Sequence, residues 1–301
     1  MLIKTFKENP KSILFGESFV IALVLLNILS CNNQFLTPWL PSNRVTVYSS
    51  SSTIDALEEI RDHFSQLTKI PVELNFGSTA TLATQIIQGS DVDLFLSADQ
   101  MWADNVVSSR NISVKRIKLL GNKLVVAVPK KAKYRIKSIE DMLDGSFQVL
   151  AMANPDSLVP AGVYAKQVLK NLNLWEKLSP KLVYGENVRT ALHYLETESV
   201  QAAIVYRTDA LASSLVRIEF EISSKLHRDL QYHLVLLERV NRRDAAFHLF
   251  SYLTGAEARQ IFEKKGFDFI AGTKVSQKTM NNFFFTFVIK KIVNKCSFLF
   301  R

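Results

Sequence analysis

The sequence predicts an α/β protein of two lobes, each built on a doubly wound, mostly parallel sheet, with a ligand cleft between the lobes. Three strand-to-helix units follow one another from residue 45, and such a series predicts a parallel sheet whose strand ends share one edge. After the apolar strand "KLVVAVP", residues 123–129, the same pattern restarts. A chain that leaves one unit, builds another and returns to the first forms two lobes joined by a hinge over a cleft.

The first lobe begins with "VTVY", a β-favouring stretch that runs directly into four serines at positions 49–52. The segment behind them, "STIDALEEIRDHF", places Leu57, Ile60 and Phe64 at helical spacing, so a strand ends where a helix begins. The strands "PVELNF", residues 71–76, and "DVDLFLSAD", residues 91–99, also run into small polar residues. Serine at the start of a helix is a common N-cap, and Ser52 occupies such a position.

The second lobe is predicted to contain the strands "SFQVLAMAN", "PKLVYG" and "AAIVY" and the helices "PAGVYAKQVLKNL" and "NVRTALHYLE". Pro160 fits the preference of proline for the first turn of a helix. A strand "YHLVLLE" and one helix from Ala245 to Lys265 close the fold. The predicted first lobe comprises residues 45–124 and 208–272, and the second comprises residues 125–207.

The N-terminal 30 residues are predicted to be a signal peptide, because three lysines precede an apolar run of the length of a signal-peptide core. The run ends in "ILSC", which resembles the lipobox of bacterial lipoproteins and predicts lipidation of Cys31. The alternative is an incidental cysteine beside an ordinary cleavage site. Residues 31–44 are expected to form a tether, and the basic, apolar tail 273–301 either docks on a membrane or is a disordered or vestigial extension.

The net charge of +9 is concentrated at the two ends of the chain. Residues 1–44 carry a net charge of +2, and residues 274–301 carry six basic residues and no acidic one, which leaves +1 for residues 45–273. A nearly neutral body argues against a nucleic-acid-binding protein, since such proteins depend on a concentrated basic surface.

Enzyme and metal-site interpretations find little support in the motifs. The chain has no G-x-S-x-G elbow, no phosphate-binding P-loop and no G-x-G-x-x-G fingerprint. His193 and Glu196 lie three residues apart, but a solvated helix face explains them better than a metal site. Asp93 and Asp99 resemble a carboxylate pair, yet a carboxylate at a helix start usually caps the helix. We therefore predict no catalytic residues, no cofactor and no protein-bound metal cation.

Four cap-like helix starts remain, "SSSST", "GSTAT", "PAG" and "ENVR", and they come from both predicted lobes. A helix N-terminus binds an anion through its free N–H groups and its dipole, without a formal positive charge. Several such ends that face one another across a cleft would enclose a tetrahedral oxyanion.

The motifs "VYSSSST", "NFGSTATLATQI", "DVDLFLSADQMW", "LLGNKLVVAVP", "VPAGVYAKQVL", "ENVRTAL" and "AAIVYRTDA" occur in an order that resembles the periplasmic molybdate-binding proteins of ABC importers. The resemblance covers residues 45 to about 270. It implies a periplasmic-binding-protein fold and a ligand-binding role for six positions. These are Ser52, Ser78, Thr79, Ala161, Val188 and Tyr206.

The resemblance also implies how these positions act. Ser52 is the first hydroxyl donor, and either Ser78 or Thr79 is the second. Ala161 and Val188 act through their backbone N–H groups, and Tyr206 adds a phenolic donor. Taken singly, each position has an ordinary structural explanation.

The N-terminal signals and the family resemblance together imply an exported, monomeric solute-binding protein that is anchored to the membrane by an N-terminal lipid. Its expected ligand is molybdate or tungstate, which it delivers to an ABC permease in the cytoplasmic membrane. The alternatives are a binding protein for another oxyanion such as sulfate, and an exported enzyme that works in the cleft.

Overall fold

A computed structural model of the protein describes residues 44–110, 114–237 and 243–271. The predicted signal peptide, Cys31, most of the tether and the tail 273–301 lie outside the described residues. Within the described segments, no helix combines the length and the hydropathy that crossing a bilayer requires.

The first sheet has six strands in the order β11-β4-β10-β3-β1-β2. Strands β2, β1 and β3 are parallel, whereas β10, β4 and β11 add antiparallel pairings. The strands are β1 Val45–Ser50, β2 Val72–Gly77, β3 Leu94–Ser97, β4 Val114–Gly121, β10 Gln231–Leu237 and β11 Asp268–Phe269.

The second sheet has five strands in the order β7-β6-β8-β5-β9. Strands β7, β6 and β8 are parallel, and β5 pairs antiparallel with both β8 and β9. The strands are β5 Leu124–Pro129, β6 Leu150–Ala153, β7 Leu182–Gly185, β8 Ala202–Tyr206 and β9 Val216–Glu221. The sequence predicted mostly parallel sheets, and in each sheet three neighbouring strands are parallel.

Nine helices connect these strands within the described residues. They are α1 Ile54–Thr68, α2 Thr79–Ile87, α3 Gln100–Arg110, α4 Pro160–Asn171, α5 Trp175–Leu178, α6 Val188–Glu196, α7 Arg207–Ala212, α8 Arg243–Leu253 and α9 Ala256–Lys264. A 3₁₀ turn, Ser51–Thr53, links β1 to α1.

The helical pattern follows the predicted apolar faces, and on α1 the side chains of Leu57, Ile60 and Phe64 are buried against the first sheet. The helix predicted from Ala245 to Lys265 is two helices instead, since α8 ends at Leu253 and Gly255 is the N-cap of α9. Glycine is a poor helix former and a good cap, so it interrupts the helix there.

The chain passes from the first sheet to the second between β4 and β5 and returns between β9 and β10. The sequence predicts the return at residue 208, but β9 pairs with β5 along Val216–Glu221. The strands of the second sheet therefore extend to residue 221, because β9 completes the antiparallel edge of that sheet.

Candidate functional site

A small cavity lies where the carboxyl ends of the two parallel strand groups face each other. The ends of β1 and β2 are in register at Ser50 and Gly77, and those of β6 and β7 at Ala153 and Gly185. The lining residues are Ser50, Ser51, Gly77, Ser78, Thr79, Ala98, Val159, Pro160, Ala161, Asn187, Val188 and Tyr206.

The cavity leaves about 10 Å³ for the centres of water-sized spheres. By that measure about 10–15 Å³ is the space of one water molecule, so the cavity is narrow in this arrangement of the two sheets.

The first sheet contributes two hydroxyls beside the start of α2. Ser78 is the N-cap residue of this helix, but its side chain makes no capping bond, and its Oγ is buried without a protein partner. The Oγ1 of Thr79 accepts a hydrogen bond from the N–H of Ala98 at 3.2 Å, which leaves the hydroxyl hydrogen of Thr79 free to donate. Both predicted candidates in "GSTAT" therefore line the cavity, and the Ser78 hydroxyl is the one without a partner.

The second sheet contributes the backbone N–H groups at two helix starts. At α4 the first intrahelical bond runs from Val163 N–H to Val159 O, so the N–H of Ala161 has no acceptor within the helix. Proline at position 160 has no N–H, which makes Ala161 the first donor of this helix.

At the start of α6 the side chain of Asn187 accepts hydrogen bonds from the N–H groups of Arg189 at 2.9 Å and Thr190 at 3.1 Å. This cap satisfies the second and third N–H groups of the helix and leaves that of Val188 without an intrahelical acceptor. The asparagine before this helix start was a recognisable N-cap signal in "ENVR", although the sequence analysis did not use it.

Tyr206 ends β8 and brings a phenol to the same cavity. Its side chain is buried, and its hydroxyl has no hydrogen-bond partner in the described structure. Burial raises the pKa of Tyr206 well above its usual value, so the phenol keeps its proton and can donate it.

Ser52 is not among the residues that line this cavity, whereas Ser50 and Ser51 are. The Oγ of Ser52 lies 3.1 Å from that of Ser50 and 2.7 Å from the phenol oxygen of Tyr232. Ser52 instead lines a second cavity, together with Thr208. Of the predicted site residues, five surround the first cavity, and Ser52 reaches it through Ser50.

No lining residue of the first cavity carries a charge. The nearest cation on α6, the guanidinium of Arg189, is paired with Asp209 at 2.6 Å and also with Asp55. Burial raises the pKa of Asp209 to about 6 even though Arg189 opposes this shift. The donors are N–H and O–H groups, and a cavity of such donors attracts an anion and repels a cation.

The other conspicuous polar residues have structural roles. Asp93 accepts a hydrogen bond from the N–H of Thr46 at 2.8 Å, and Asp99 caps α3 by accepting from the N–H of Met101 at 2.7 Å. Nδ1 of the exposed His193 lies 3.7 Å from a carboxylate oxygen of the half-buried Glu196. In the described ranges, no group of three or more His, Cys, Asp or Glu residues could hold a metal ion.

Residues 45–268 match the family model of the bacterial extracellular solute-binding proteins. The chain belongs to this family. The match includes both sheets, except for Phe269 of β11, and every residue that lines the cavity.

Within the family, the chain is 37% identical over 232 residues to the molybdate-binding protein ModA of Escherichia coli, which covers 74% of this chain and 88% of that protein. It is 36% identical over 253 residues to YvgL of Bacillus subtilis, whose name describes a candidate substrate-binding lipoprotein of an ABC transporter. That match covers 83% of this chain and 96% of YvgL.

The fold is also that of a solved structure, the periplasmic molybdate-binding protein of Azotobacter vinelandii, with a TM-score of 0.66 at 19% identity. The alignment covers 74% of this chain and 98% of that protein. These matches confirm the family resemblance and the two-lobed α/β fold that the sequence predicted.

Proposed function

We propose that this protein captures molybdate, or the similar anion tungstate, and delivers it to a membrane ABC permease. The observation that carries the proposal is the pair of buried hydroxyls of Ser78 and Tyr206, which have no partner among the described residues and line one uncharged cavity. A buried polar group without a partner is costly, and a bound oxyanion would satisfy both groups at once.

The donor-only lining favours an oxyanion that carries no proton. At neutral pH every oxygen of molybdate or sulfate accepts hydrogen bonds, whereas hydrogen phosphate also needs an acceptor for its proton. The hydroxyls of Ser78, Thr79 and Tyr206 can all donate, and so can the N–H groups of Ala161 and Val188. Lysine is unnecessary in such a site, and a carboxylate would repel the ligand.

The six predicted site residues remain the proposed ligand-binding residues. For Ser52, the proposed contact is its hydroxyl or that of Ser50, because the two oxygens are hydrogen-bonded and Ser50 lines the cavity. Charge-assisted hydrogen bonds contribute roughly 1.5–3 kcal/mol each, so the loss of one donor is expected to weaken binding by about tenfold or more.

The proposed location is outside the cytoplasmic membrane, with the lipid on Cys31 as the anchor. The extracellular family and the name of YvgL support export and lipidation, and Cys31 follows the lipobox-like "ILSC". A monomer that binds and releases its ligand, without catalysis, fits this role. Mass spectrometry of the mature N-terminus tests the anchor, and an unmodified terminus beyond Cys31 would refute it.

Calorimetric titration of molybdate, tungstate, sulfate and phosphate into the purified protein tests the ligand. We expect tight binding of molybdate, weaker binding of sulfate because of its smaller size, and hardly any binding of phosphate. Ser52→Ala and Tyr206→Phe are expected to weaken molybdate binding markedly while the protein stays folded. Tighter binding of sulfate than of molybdate would assign the protein to sulfate, and indifference to all four anions would remove the oxyanion proposal.

A further inference from the structure

A buried chain of hydrogen bonds lies behind the 3₁₀ turn that carries the serines. It runs from the amide of Asn122 through the phenol of Tyr232 to the hydroxyl of Ser52 and on to Ser50, which lines the cavity. All four side chains are buried, with at most 7% of any residue exposed. Asn122 lies between β4 and β5, where the chain crosses from one sheet to the other, and Tyr232 lies on β10.

The backbone fixes the orientation of the Asn122 amide. The N–H of Lys123 can only donate, and it lies 2.9 Å from Oδ1 of Asn122, so this atom must be the carbonyl oxygen. The other end of the amide is therefore the NH₂ group. Its two hydrogens have two acceptors, the phenol oxygen of Tyr232 at 3.2 Å and the Oγ1 of Thr208 at 2.9 Å.

This orientation determines the direction of every following bond. The phenol oxygen of Tyr232 accepts from Asn122, and in the described structure Ser52 Oγ is its only other hydrogen-bond partner, at 2.7 Å. Burial raises the pKa of Tyr232, so the phenol keeps its hydrogen and donates it to Ser52. The hydrogen of Ser52 must then point onward, to Ser50 Oγ or to a ligand.

A second branch fixes the remaining hydroxyls of the turn in the same manner. Thr53 donates its hydroxyl hydrogen to the backbone oxygen of Ser50 at 2.8 Å, so the Oγ1 of Thr53 accepts from Ser49 at 2.6 Å. The hydrogens of Ser49 and Thr53 are thus used within the turn. Those of Ser50 and Ser52 are the ones that the network directs toward the cavity.

We propose that Asn122 and Tyr232 are positioning residues that hold the hydroxyls of Ser50 and Ser52 as donors and thereby make the site reject an oxyanion that carries a proton. A free hydroxyl rotates, so it can accept a hydrogen bond from the O–H of hydrogen phosphate as readily as it donates one to molybdate. In Ser52 the bond from Tyr232 occupies one lone pair and the hydroxyl hydrogen points onward, so this group is held as a donor and is a poor acceptor for the proton of phosphate. This inference rests on the proposed oxyanion-binding function.

The test is the ratio of the phosphate and molybdate dissociation constants in a matched pair of variants at neutral to slightly alkaline pH. Tyr232→Phe removes the group that orients Ser52 and keeps the buried ring. Tyr206→Phe removes a donor from the cavity itself, and Tyr134→Phe removes an exposed phenol that donates to Gln201 O. Circular dichroism and thermal unfolding establish that each variant is folded.

We expect Tyr232→Phe to lower the ratio of the phosphate to the molybdate dissociation constant by about tenfold. The Ser52 hydroxyl is then free to rotate, so phosphate gains an acceptor, while molybdate still receives a hydrogen bond from a less firmly oriented donor. Tyr206→Phe is expected to weaken the binding of both anions and to leave the ratio of their dissociation constants within about threefold of the parent value. Tyr134→Phe should match the parent in both constants. If Tyr232→Phe does not fold, Asn122→Ala removes the donor to the phenol and is expected to narrow the ratio in the same direction.

If folded Tyr232→Phe binds both anions more weakly by the same factor, the positioning role is overturned, because the loss of a merely structural residue would have that effect. If the parent protein binds molybdate but folded Tyr232→Phe or Asn122→Ala keeps the parent ratio of the phosphate and molybdate dissociation constants, this inference is overturned. The proposed function is then left intact. A parent protein that binds none of the anions overturns both.

Discussion

Ser78 and Tyr206 bury hydroxyl groups that no other described residue satisfies. An unsatisfied buried polar group costs about 1–3 kcal/mol relative to a hydrogen-bonded one. Thr79, one residue further along α2, differs because its oxygen accepts from the N–H of Ala98. Neighbouring hydroxyls at the same helix start therefore contribute differently to folding.

The substitution Ser78→Ala is expected to leave the free energy of unfolding of the ligand-free protein unchanged or to raise it by up to about 1 kcal/mol, because it removes an unsatisfied group. The same substitution should weaken molybdate binding by about tenfold. Thr79→Val is the matched control, and it should destabilise the ligand-free protein because Ala98 loses its acceptor. Urea unfolding with and without molybdate measures both effects. A clear loss of stability in ligand-free Ser78→Ala would contradict the prediction.

Among individual residues, the sequence predicts best those whose role follows from a short local motif. Ser78, Thr79, Ala161 and Val188 are recognisable because each stands at a helix start, and the helix start itself supplies the chemistry. Tyr232 carried no comparable signal. It is 180 positions from Ser52, and only the sheet order that inserts β10 between β3 and β4 brings the two hydroxyls together.

The position of α4 against β6 depends on one glycine. A Cβ atom at Gly162 would lie 2.7 Å from the carbonyl carbon of Ala153 and 2.8 Å from the nitrogen of Pro155. Both are backbone atoms at the end of β6, so the helix would have to move away from the strand. Gly162 follows Ala161, and that movement would displace the proposed N–H donor.

We therefore expect Gly162→Ala to lower the unfolding free energy by about 1–3 kcal/mol, the usual cost of overpacking, and to weaken molybdate binding more than a change in stability alone explains. Gly145→Ala is the control, because a Cβ there would meet nothing within 4 Å. Thermal unfolding and titration calorimetry of both variants measure the two effects. Wild-type affinity in Gly162→Ala would show that the start of α4 does not contact the ligand.

The sequence predicted most strands and helices of the two sheets, and the exceptions have physical causes. It missed β4, where lysine and arginine alternate with apolar residues in "VKRIKLLG", because such a segment lacks a continuous apolar run. It also missed β9, and with it the extent of the second sheet. Both strands pair antiparallel with partners distant in the chain, and local periodicity does not report such pairing.

Several polar contacts join elements of one sheet to elements of the other. Trp102 on α3 donates to the carbonyl oxygen of Leu158 at 3.2 Å, and Tyr164 on α4 donates to Asp99 at 2.9 Å. Arg189 on α6 also pairs with Asp55 on α1. The Arg189–Asp55 pair is partly exposed and contributes about 0–1 kcal/mol, whereas the Tyr164–Asp99 bond is buried. An enclosed anion would add several charge-assisted bonds to both sides.

We therefore expect molybdate to favour a closed arrangement of the two lobes, since donors from both sheets can reach one ion only when the cleft is shut. Small-angle X-ray scattering should give a smaller radius of gyration at saturating molybdate than without ligand. Phosphate at the same concentration serves as the control and should leave the radius unchanged. An identical radius with and without bound molybdate would contradict the hinge.

The position of β10 between β3 and β4 also affects the order in which the chain can fold. The second sheet uses strands from residues 124–221 only, so all its strands exist once that segment has been synthesised. The first sheet lacks a central strand until residues 231–237 emerge, and until then β3 and β4 present unpaired facing edges. A nascent chain can therefore complete the second sheet before the first, which stays incomplete until β10 has been synthesised.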